Sequence, residues 1–243
     1  MENFLSKIKL IWTDTILRKR VFFVLFALVL FRLLSAIPIP GIDTVELSRF
    51  LTNNQFFGIL NIFSGGGLSN LSIIMLGVGP YITSSIIMQL LTIMVPALKR
   101  IYHEEGEAGR KKFTQYSRLL TVPLAAIQGF SLLAILESQK ILVNLTAFDR
   151  VSNIIIVIAG SMLIMWIGEL MSEFGIGNGV SLLIFAGIVS QIPAEVSQLI
   201  FKFDVSQVPL LLLFVAAGAL VIAGVVVVTE AERPIPVTYA KRV

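Results

Sequence analysis

The chain has 243 residues, of which 56% are hydrophobic and 14% are charged. Soluble domains carry about 25% charged residues, so this composition excludes an ordinary soluble domain and indicates an integral membrane protein. The absence of cysteine and the single histidine, His103, exclude disulfides, thiolate catalysis and multi-histidine metal sites. The net charge of +4 matters through where the basic residues lie.

The first predicted span is the apolar run over residues 21–37, which follows a basic segment over 1–20. Pro38-Ile39-Pro40-Gly41 comes next, with no small-residue cleavage site, so we expect a membrane anchor and not a signal peptide. Arg32 near the end of this run is typical of a side chain that snorkels to the interface. A functional intramembrane charge is the alternative.

A stretch of 49 uncharged residues separates Arg49 from Lys99. One span needs roughly 20 residues. The sequence Phe-Ser-Gly-Gly-Gly over 63–67 interrupts the stretch, leaving a short apolar piece before it and a span-length piece over 73–98. Non-helical backbone at membrane depth persists only where protein or a water-filled cavity satisfies its polar groups. We therefore expect a re-entrant element followed by a second span, and with them a pore or gate.

Two stripes at helical spacing follow the second predicted span. The polar stripe is Tyr81, Ser85, Gln89 and Thr92, and the apolar stripe is Val78, Ile82 and Ile86. Polar residues in this pattern are typical of ordinary helix packing in membranes. The alternative is an aqueous path beside a hydrophobic constriction that closes by dewetting.

Four further spans are predicted, over 119–136, 154–170, 180–200 and 208–228. The fold class is therefore all-α integral membrane, with about six transmembrane helices and a short re-entrant helix. Three glycines within Gly175–Gly179 predict a tight hairpin between the fourth and fifth spans. The sixth span carries small residues that permit close helix approach.

The basic residues predict a cytoplasmic N-terminus, because Lys and Arg concentrate on the inner side of membranes. With that orientation, fourteen lie inside and four lie outside. The inner set is Lys7, Lys9, Arg18, Lys19, Arg20, Lys99, Arg100, Arg110, Lys111, Lys112, Arg118, Arg233, Lys241 and Arg242, and the outer set is Arg49, Lys140, Arg150 and Lys202.

The most polar segment, 99–118, fits either a solvated loop or a cytoplasmic docking surface. No nucleophile–histidine pair and no phosphate-binding glycine loop is evident in the sequence. Glu169 and Glu173 lie four residues apart near the inner end of the fourth span, where a water-facing pair needs no catalytic role. We therefore expect neither an enzyme, nor a cofactor, nor direct nucleotide binding.

Several blocks, in order along the chain, resemble the SecY family of protein-conducting channel subunits, in its bacterial or plastid form. They are Ile37–Asp43, Phe63–Gly66, Pro80–Ile82, Gly106–Lys112, Gly175–Gly179, Phe185–Val189 and Tyr239–Arg242. The resemblance implies the first half of a ten-span, inverted-repeat channel: a cytoplasmic segment over 1–20, a five-span half over 21–200, and the sixth span with the start of a loop over 201–243. It also implies that a C-terminal remainder is absent.

The resemblance implies three sets of functional residues. A plug over about 57–68 that seals the closed pore would include Phe57, Ile59, Leu60, Ile62, Phe63, Ser64, Gly65 and Gly66. The apolar pore ring would include Val78, Ile82, Val180 and Ile184. Ile86, Ile87 and Gln128 would contribute to the lateral gate, through which hydrophobic segments leave for the lipid.

The function implied by the resemblance is the translocation of unfolded polypeptides across the membrane and their lateral insertion into it. The implied partners are the SecE and SecG subunits, a ribosome or the SecA motor ATPase, a nascent or precursor polypeptide, and the lipid bilayer. The implied location is the inner (plasma) membrane, with the thylakoid membrane as the alternative. An inverted-repeat secondary transporter and an assembly subunit without a conduit are the rival functions.

Overall fold

The computed structural model describes residues 13–40, 47, 49–51, 54, 57, 61, 64, 66–142, 146–201 and 208–231, without the side chains of 194, 195 and 199. The chain divides into two compact units, Met1–Pro193 and Ala194–Val243. The described part is mainly helical, and one antiparallel bridge pairs Pro38 with Ser72.

Eight helices can be delimited among the described residues. They are α1 Thr15–Ser35, α2 Gly79–Met94, α3 Pro96–His103, α4 Gly106–Ser138, α5 Ala147–Phe174, α6 Gly179–Val189, α7 Ile192–Phe201 and α8 Val208–Thr229. Within this part of the chain, α4, α5 and α8 are each long and apolar enough to cross a membrane, and the bent pair α2–α3 would make a fourth span. The third, fourth and sixth predicted spans are thus confirmed as single helices.

Helix α1 contains most of the first predicted span and begins earlier, at Thr15. Asp14 caps this start, because its Oδ1 accepts a hydrogen bond from the Ile16 amide at 2.8 Å. The helix is 21 residues long, the length that a span requires.

The prediction of one helix over 73–98 is wrong in extent. Residues 73–78 form turns, and α2 begins only at Gly79. Its end is set by Pro96, because the residue before a proline is driven out of the helical region and Val95 is extended (φ −111°, ψ 106°). The chain then turns by 109° into α3.

The fifth predicted span, 180–200, is also wrong as a single helix. Helix α6 ends at Val189, turn residues follow at Ser190 and Gln191, and α7 begins at Ile192. Pro193 accounts for the break, since it has no amide to donate to the Val189 carbonyl and its ring would clash with that carbonyl in a continuous helix. α6 alone has 11 residues, too few to span a bilayer.

The turns before α2 exchange backbone hydrogen bonds with the segment after α1. The Ile39 amide donates to the Leu71 carbonyl at 2.9 Å, and the Ile73 amide donates to the Ile37 carbonyl at 3.0 Å. This pairing supplies the backbone partners that irregular chain needs at membrane depth. Gly160 of α5 lies so close that an added Cβ would overlap the Ile73 carbonyl.

Two clusters of buried apolar side chains hold the first unit together. One joins the turns before α2 to α4 and α5, and its buried members include Leu68, Leu71, Met75, Leu132, Leu136 and Val157. The other joins α1, the turns before α2, α5 and α6 through Ala27, Phe31, Ile74, Val78, Ile164, Ile167, Met171 and Leu183, and Ile82 of α2 packs against it. The second cluster fixes the helices that line the cavity described below.

Candidate functional site

A cavity of about 680 Å³ opens between α2, α4, α5 and α6. Its apolar lining is Ile82, Ile86, Val180 and Ile184, and its polar lining is Tyr81, Ser85, Gln89, Thr114, Arg118, Glu169, Ser172, Glu173, Asn178 and Ser181. Its walls therefore combine an apolar patch, hydroxyl and amide groups, and both signs of charge.

Helix α2 supplies one wall through both of the predicted stripes. Tyr81, Ser85 and Gln89 line the cavity, whereas Thr92 is buried and its Oγ1 donates to the Gln89 carbonyl at 2.6 Å. Elsewhere on α2, Ser84 is fully buried and donates to the Ser117 carbonyl of α4. This hydrogen bond holds α2 against α4, and the part of the two stripes between Tyr81 and Gln89 faces the cavity.

Helix α6 supplies the wall with Val180, Ser181 and Ile184. The predicted tight hairpin is present: Gly177 has φ +68°, and the Asn178 side chain caps α6 by accepting from the Ser181 amide at 3.1 Å. The amide of Gly179 donates to Ser172 Oγ of α5 at 2.8 Å. These contacts hold the first turn of α6 against the end of α5.

An ion pair crosses the cavity wall between α4 and α5. Arg118 Nε donates to Glu169 Oε1 at 2.8 Å, and Glu173 lies one turn further along α5. The sequence alone gives Glu169 no partner. Arg118 and Glu169 lie near the predicted inner ends of consecutive spans, so their opposite charges are the sequence signal for this pair.

Three of the four expected ring residues, Ile82, Val180 and Ile184, line the cavity together. Val78 lies outside its lining. It is 5% exposed, belongs to the second cluster, and accepts the Ile82 amide at 3.0 Å as the residue before α2. Val78 therefore supports the position of Ile82 from within the core.

The expected gate residues occupy different environments. Ile86 is half exposed and lines the cavity, whereas Ile87 on α2 and Gln128 on α4 are half-buried and do not line it. The structure therefore groups Ile86 with the ring residues and leaves the other two on the helix flanks.

Of the expected plug, Ile59, Leu60, Ile62, Phe63 and Gly65 lie outside the described residues. Phe57 packs its ring against Phe50, with centroids 4.9 Å apart. Ser64 is buried and Gly66 has φ +81°. Both belong to a turn in which the Gly66 amide and the Ser64 hydroxyl donate to the Asn61 carbonyl, at 2.9 and 3.0 Å.

Polar contacts link this turn to the α6–α7 break. Gln191 Nε2 donates to the Asn61 carbonyl and Arg32 Nη1 donates to Ser190 Oγ, each at 3.4 Å. The Arg32 guanidinium also lies beside the Gly66 Cα. Arg32 is therefore engaged with protein groups. Across the described residues, no cluster of three or more His, Cys, Asp or Glu side chains could hold a metal ion.

Sequence matches to known proteins cover almost the whole chain. The family model described as SecY matches residues 72–243. Protein translocase subunit SecY of Corynebacterium glutamicum is 39% identical over 242 residues, covering 94% of this chain and 54% of the relative. The same subunit from Buchnera aphidicola is 40% identical over 234 residues, covering 93% and 53%. The chain thus spans about half the length of these relatives.

A solved structure, Sec61 in the canine ribosome-channel complex from the endoplasmic reticulum, superposes with a TM-score of 0.50 at 23% identity. It covers 72% of this chain and 36% of the other. At that identity the superposition shows a shared fold and nothing further. The family match over 172 residues and the identity to both curated relatives decide the assignment. The chain belongs to the SecY family.

Proposed function

We propose that this chain forms the first part of the channel subunit of a translocon that conducts unfolded polypeptides across a membrane. The observation that carries the proposal is the convergence of Ile82, Val180 and Ile184 from two helices on one cavity. An apolar ring makes no sequence-specific hydrogen bonds, so it suits a path for chains of any sequence. The curated relatives, named protein translocase subunits, support this function.

The remaining side chains of the ring would come from a segment equivalent to the half of the relatives that this chain does not match. In that arrangement Ile82, Val180 and Ile184 face the translocating chain, and Val78 holds the start of α2 in place. The polar groups at Ser85, Gln89 and the Arg118–Glu169 pair would line the approach to the ring. Water in this approach keeps the entering polypeptide solvated until it meets the constriction.

Lateral release of hydrophobic segments would use the flank of α2 and α4. Ile86 stands between the ring and that flank, and Ile87 and Gln128 are half-buried along it. A gate between packed helices opens by sliding or tilting, so apolar contacts that lack directional bonds suit such a surface.

The proposed partners are SecE, SecG, a precursor polypeptide, and either a ribosome or SecA as the source of energy. The apolar helices indicate a membrane protein. The asymmetry of its Lys and Arg residues supports a cytoplasmic N-terminus, and its bacterial relatives support a location in the inner (plasma) membrane. The proposal includes no chemical step catalysed by this chain.

The proposed plug is tested best by changing Ile59, Leu60, Ile62 and Phe63 to Ser in the full-length channel. Leu68 is 1% exposed in the core, and Asn61 accepts hydrogen bonds from the turn, so deleting all of 57–68 would damage the fold. We expect the resting channel to pass ions while membrane insertion of a hydrophobic segment persists. Conductance across planar bilayers and protease protection of the segment measure the two effects.

The control changes Leu90 of α2, which is 55% exposed and lies outside the cavity lining, to Ser. An unaltered seal in the four-residue variant would contradict the plug assignment. Loss of the variant protein from the membrane would instead show that these residues stabilise the fold.

A further inference from the structure

The turn that contains Asn61, Ser64, Gly66 and Ser69 is held together from within. The Asn61 carbonyl accepts the Gly66 amide at 2.9 Å and the Ser64 hydroxyl at 3.0 Å. The Asn61 side-chain oxygen accepts the Ser69 amide at 2.7 Å, and the Ser69 hydroxyl donates to the Gly66 carbonyl at 2.7 Å. These distances are those of ordinary hydrogen bonds, so the turn is one rigid unit.

The side chains that reach this turn from neighbouring helices make longer contacts. Gln191 Nε2 donates to the Asn61 carbonyl at 3.4 Å, and Arg32 Nη1 donates to Ser190 Oγ at 3.4 Å. Arg32 Nη1 also lies 3.6 Å from the place that a Cβ on Gly66 would occupy. Hydrogen bonds longer than about 3.2 Å are weak. These outer contacts therefore break before the bonds within the turn.

The Ser190 hydroxyl is oriented to receive Arg32. It donates to the Gly187 carbonyl at 2.7 Å. A serine hydroxyl has one proton, so the remaining lone pairs of Ser190 Oγ are available to the guanidinium, which only donates. Ser190 and Gln191 are both half-buried. The α6–α7 break thus presents an acceptor to Arg32 and a donor to the turn.

Helix α6 links these contacts to the cavity. Val180 and Ile184, in its first half, line the cavity, and Ser190 directly follows its last residue, Val189. At 1.5 Å per residue, Ser190 lies about 9 Å along the helix axis from Ile184. Packed helices shift as rigid elements when they slide or tilt. Movement of α6 away from the cavity therefore carries Ser190 and Gln191 with it.

We propose that Arg32, Ser190 and Gln191 form a latch that holds this turn in place, and that movement of α6 releases it. The inference rests on the proposed function, in which the turn belongs to the plug and α6 carries part of the ring. The latch couples the two, because widening the ring separates Gln191 from the Asn61 carbonyl. The three side chains are positioning residues, since they touch the turn and not the polypeptide. Arg32 is then a functional charge and not a snorkelling one.

The test compares the full-length channel with its S190A/Q191A variant in nanodiscs, which expose both faces of the membrane. Each protein carries S64C as its single cysteine, because Ser64 is 4% exposed and lies within the turn. A water-soluble maleimide reaches this thiol only when the turn moves. We expect S190A/Q191A to label about fivefold faster than the S64C parent, the change in population that losing one ordinary hydrogen bond produces.

The S138A/Q139A variant is the matched control, because the same pair of residues stands at the end of α4. The Ser138 hydroxyl donates to the Ile135 carbonyl at 2.7 Å, as Ser190 does to Gly187, and both Ser138 and Gln139 are exposed. This variant should label at the parent's rate. Q191L keeps the bulk of the side chain without its donor, so it should speed labelling even where the double variant does not fold.

Equal labelling rates in the parent, S190A/Q191A and Q191L would overturn the proposal, as would an equal acceleration in S138A/Q139A. A stalled precursor should raise the parent's rate towards that of S190A/Q191A, and an unchanged parent would contradict release by α6. Labelling of the resting channel needs no translocating chain. It therefore tests the latch separately from the conduction of polypeptides.

Discussion

Substitution of Gly179 by Ala is expected to destabilise the protein by about 3 kcal/mol, the upper range for overpacking. A Cβ at this position would lie under 3.0 Å from the Gly168 carbonyl oxygen, the Met171 Cβ and the Ser172 amide. Two of these three atoms are backbone, so the strain cannot be relieved by rotating a side chain. α6 would have to move away from α5, carrying Val180 with it.

Gly79→Ala is the matched control, since Gly79 is likewise the first residue of a helix. Nothing lies within 4 Å of a Cβ added there, and its φ is not in the left-handed region. Removing a glycine at a permissive position is neutral or stabilises by about 0.4–1 kcal/mol. Thermal melting of the two full-length variants in detergent checks both values. Equal melting temperatures would show that the α5–α6 contact is not tight.

Replacing Ile82 by Asp is expected to open the resting full-length channel to ions. Ile82 is half-buried and lines the cavity with Val180 and Ile184, so a carboxylate there would bring water into the constriction. A tenfold rise in conductance requires only about 1.4 kcal/mol in the free energy of wetting. The fold should persist because the side chain keeps access to water.

Ile82→Leu is the control, because it conserves volume and apolarity and should leave the seal intact. Val78→Asp is the poorer test: at 5% exposure the carboxylate would be buried in the second cluster and would unfold it. Single-channel recording on planar bilayers makes the measurement. Wild-type conductance in a folded I82D channel would rule out Ile82 as part of the seal.

The positions of the long helices could be predicted because a span has a fixed length and an apolar composition. α4, α5 and α8 each contain the predicted run. The breaks at Pro96 and Pro193 were visible in the sequence, yet the apolar runs continue through both. Hydropathy alone therefore predicts one span where a proline divides the apolar run into two helices.

The pairing of Ile37–Ile39 with Leu71–Ile73 could not be predicted in the same way. It depends on α1, α4 and α5 bringing two distant segments together, and a register between distant segments has no local signature. The short apolar segment and its glycines indicated irregular chain at membrane depth. The structure adds that some backbone groups of this irregular chain are hydrogen-bonded, because the Ile39 and Ile73 amides donate across the pairing.

Part of the cavity lining could be predicted from helix geometry. Side chains at i and i+4 on α2 and α6 point the same way, so the pairing of positions 82 and 86, and of 180 and 184, follows from helix geometry. The burial of Val78 does not follow from it, because α2 begins one residue later, at Gly79. The Arg118–Glu169 contact required knowing that α4 and α5 are neighbours.

Cross-linking to a stalled precursor tests the central claim, that α2 and α6 line the path of a translocating polypeptide. Photoreactive residues would be placed singly at Ile82, Val180 and Ile184 in the full-length channel, and at two exposed positions outside the cavity lining, Ile93 and Leu220. We predict adducts with the precursor from the three cavity positions and with lipid from the other two. Silence at the cavity positions, with precursor adducts at Ile93 or Leu220, would contradict the account.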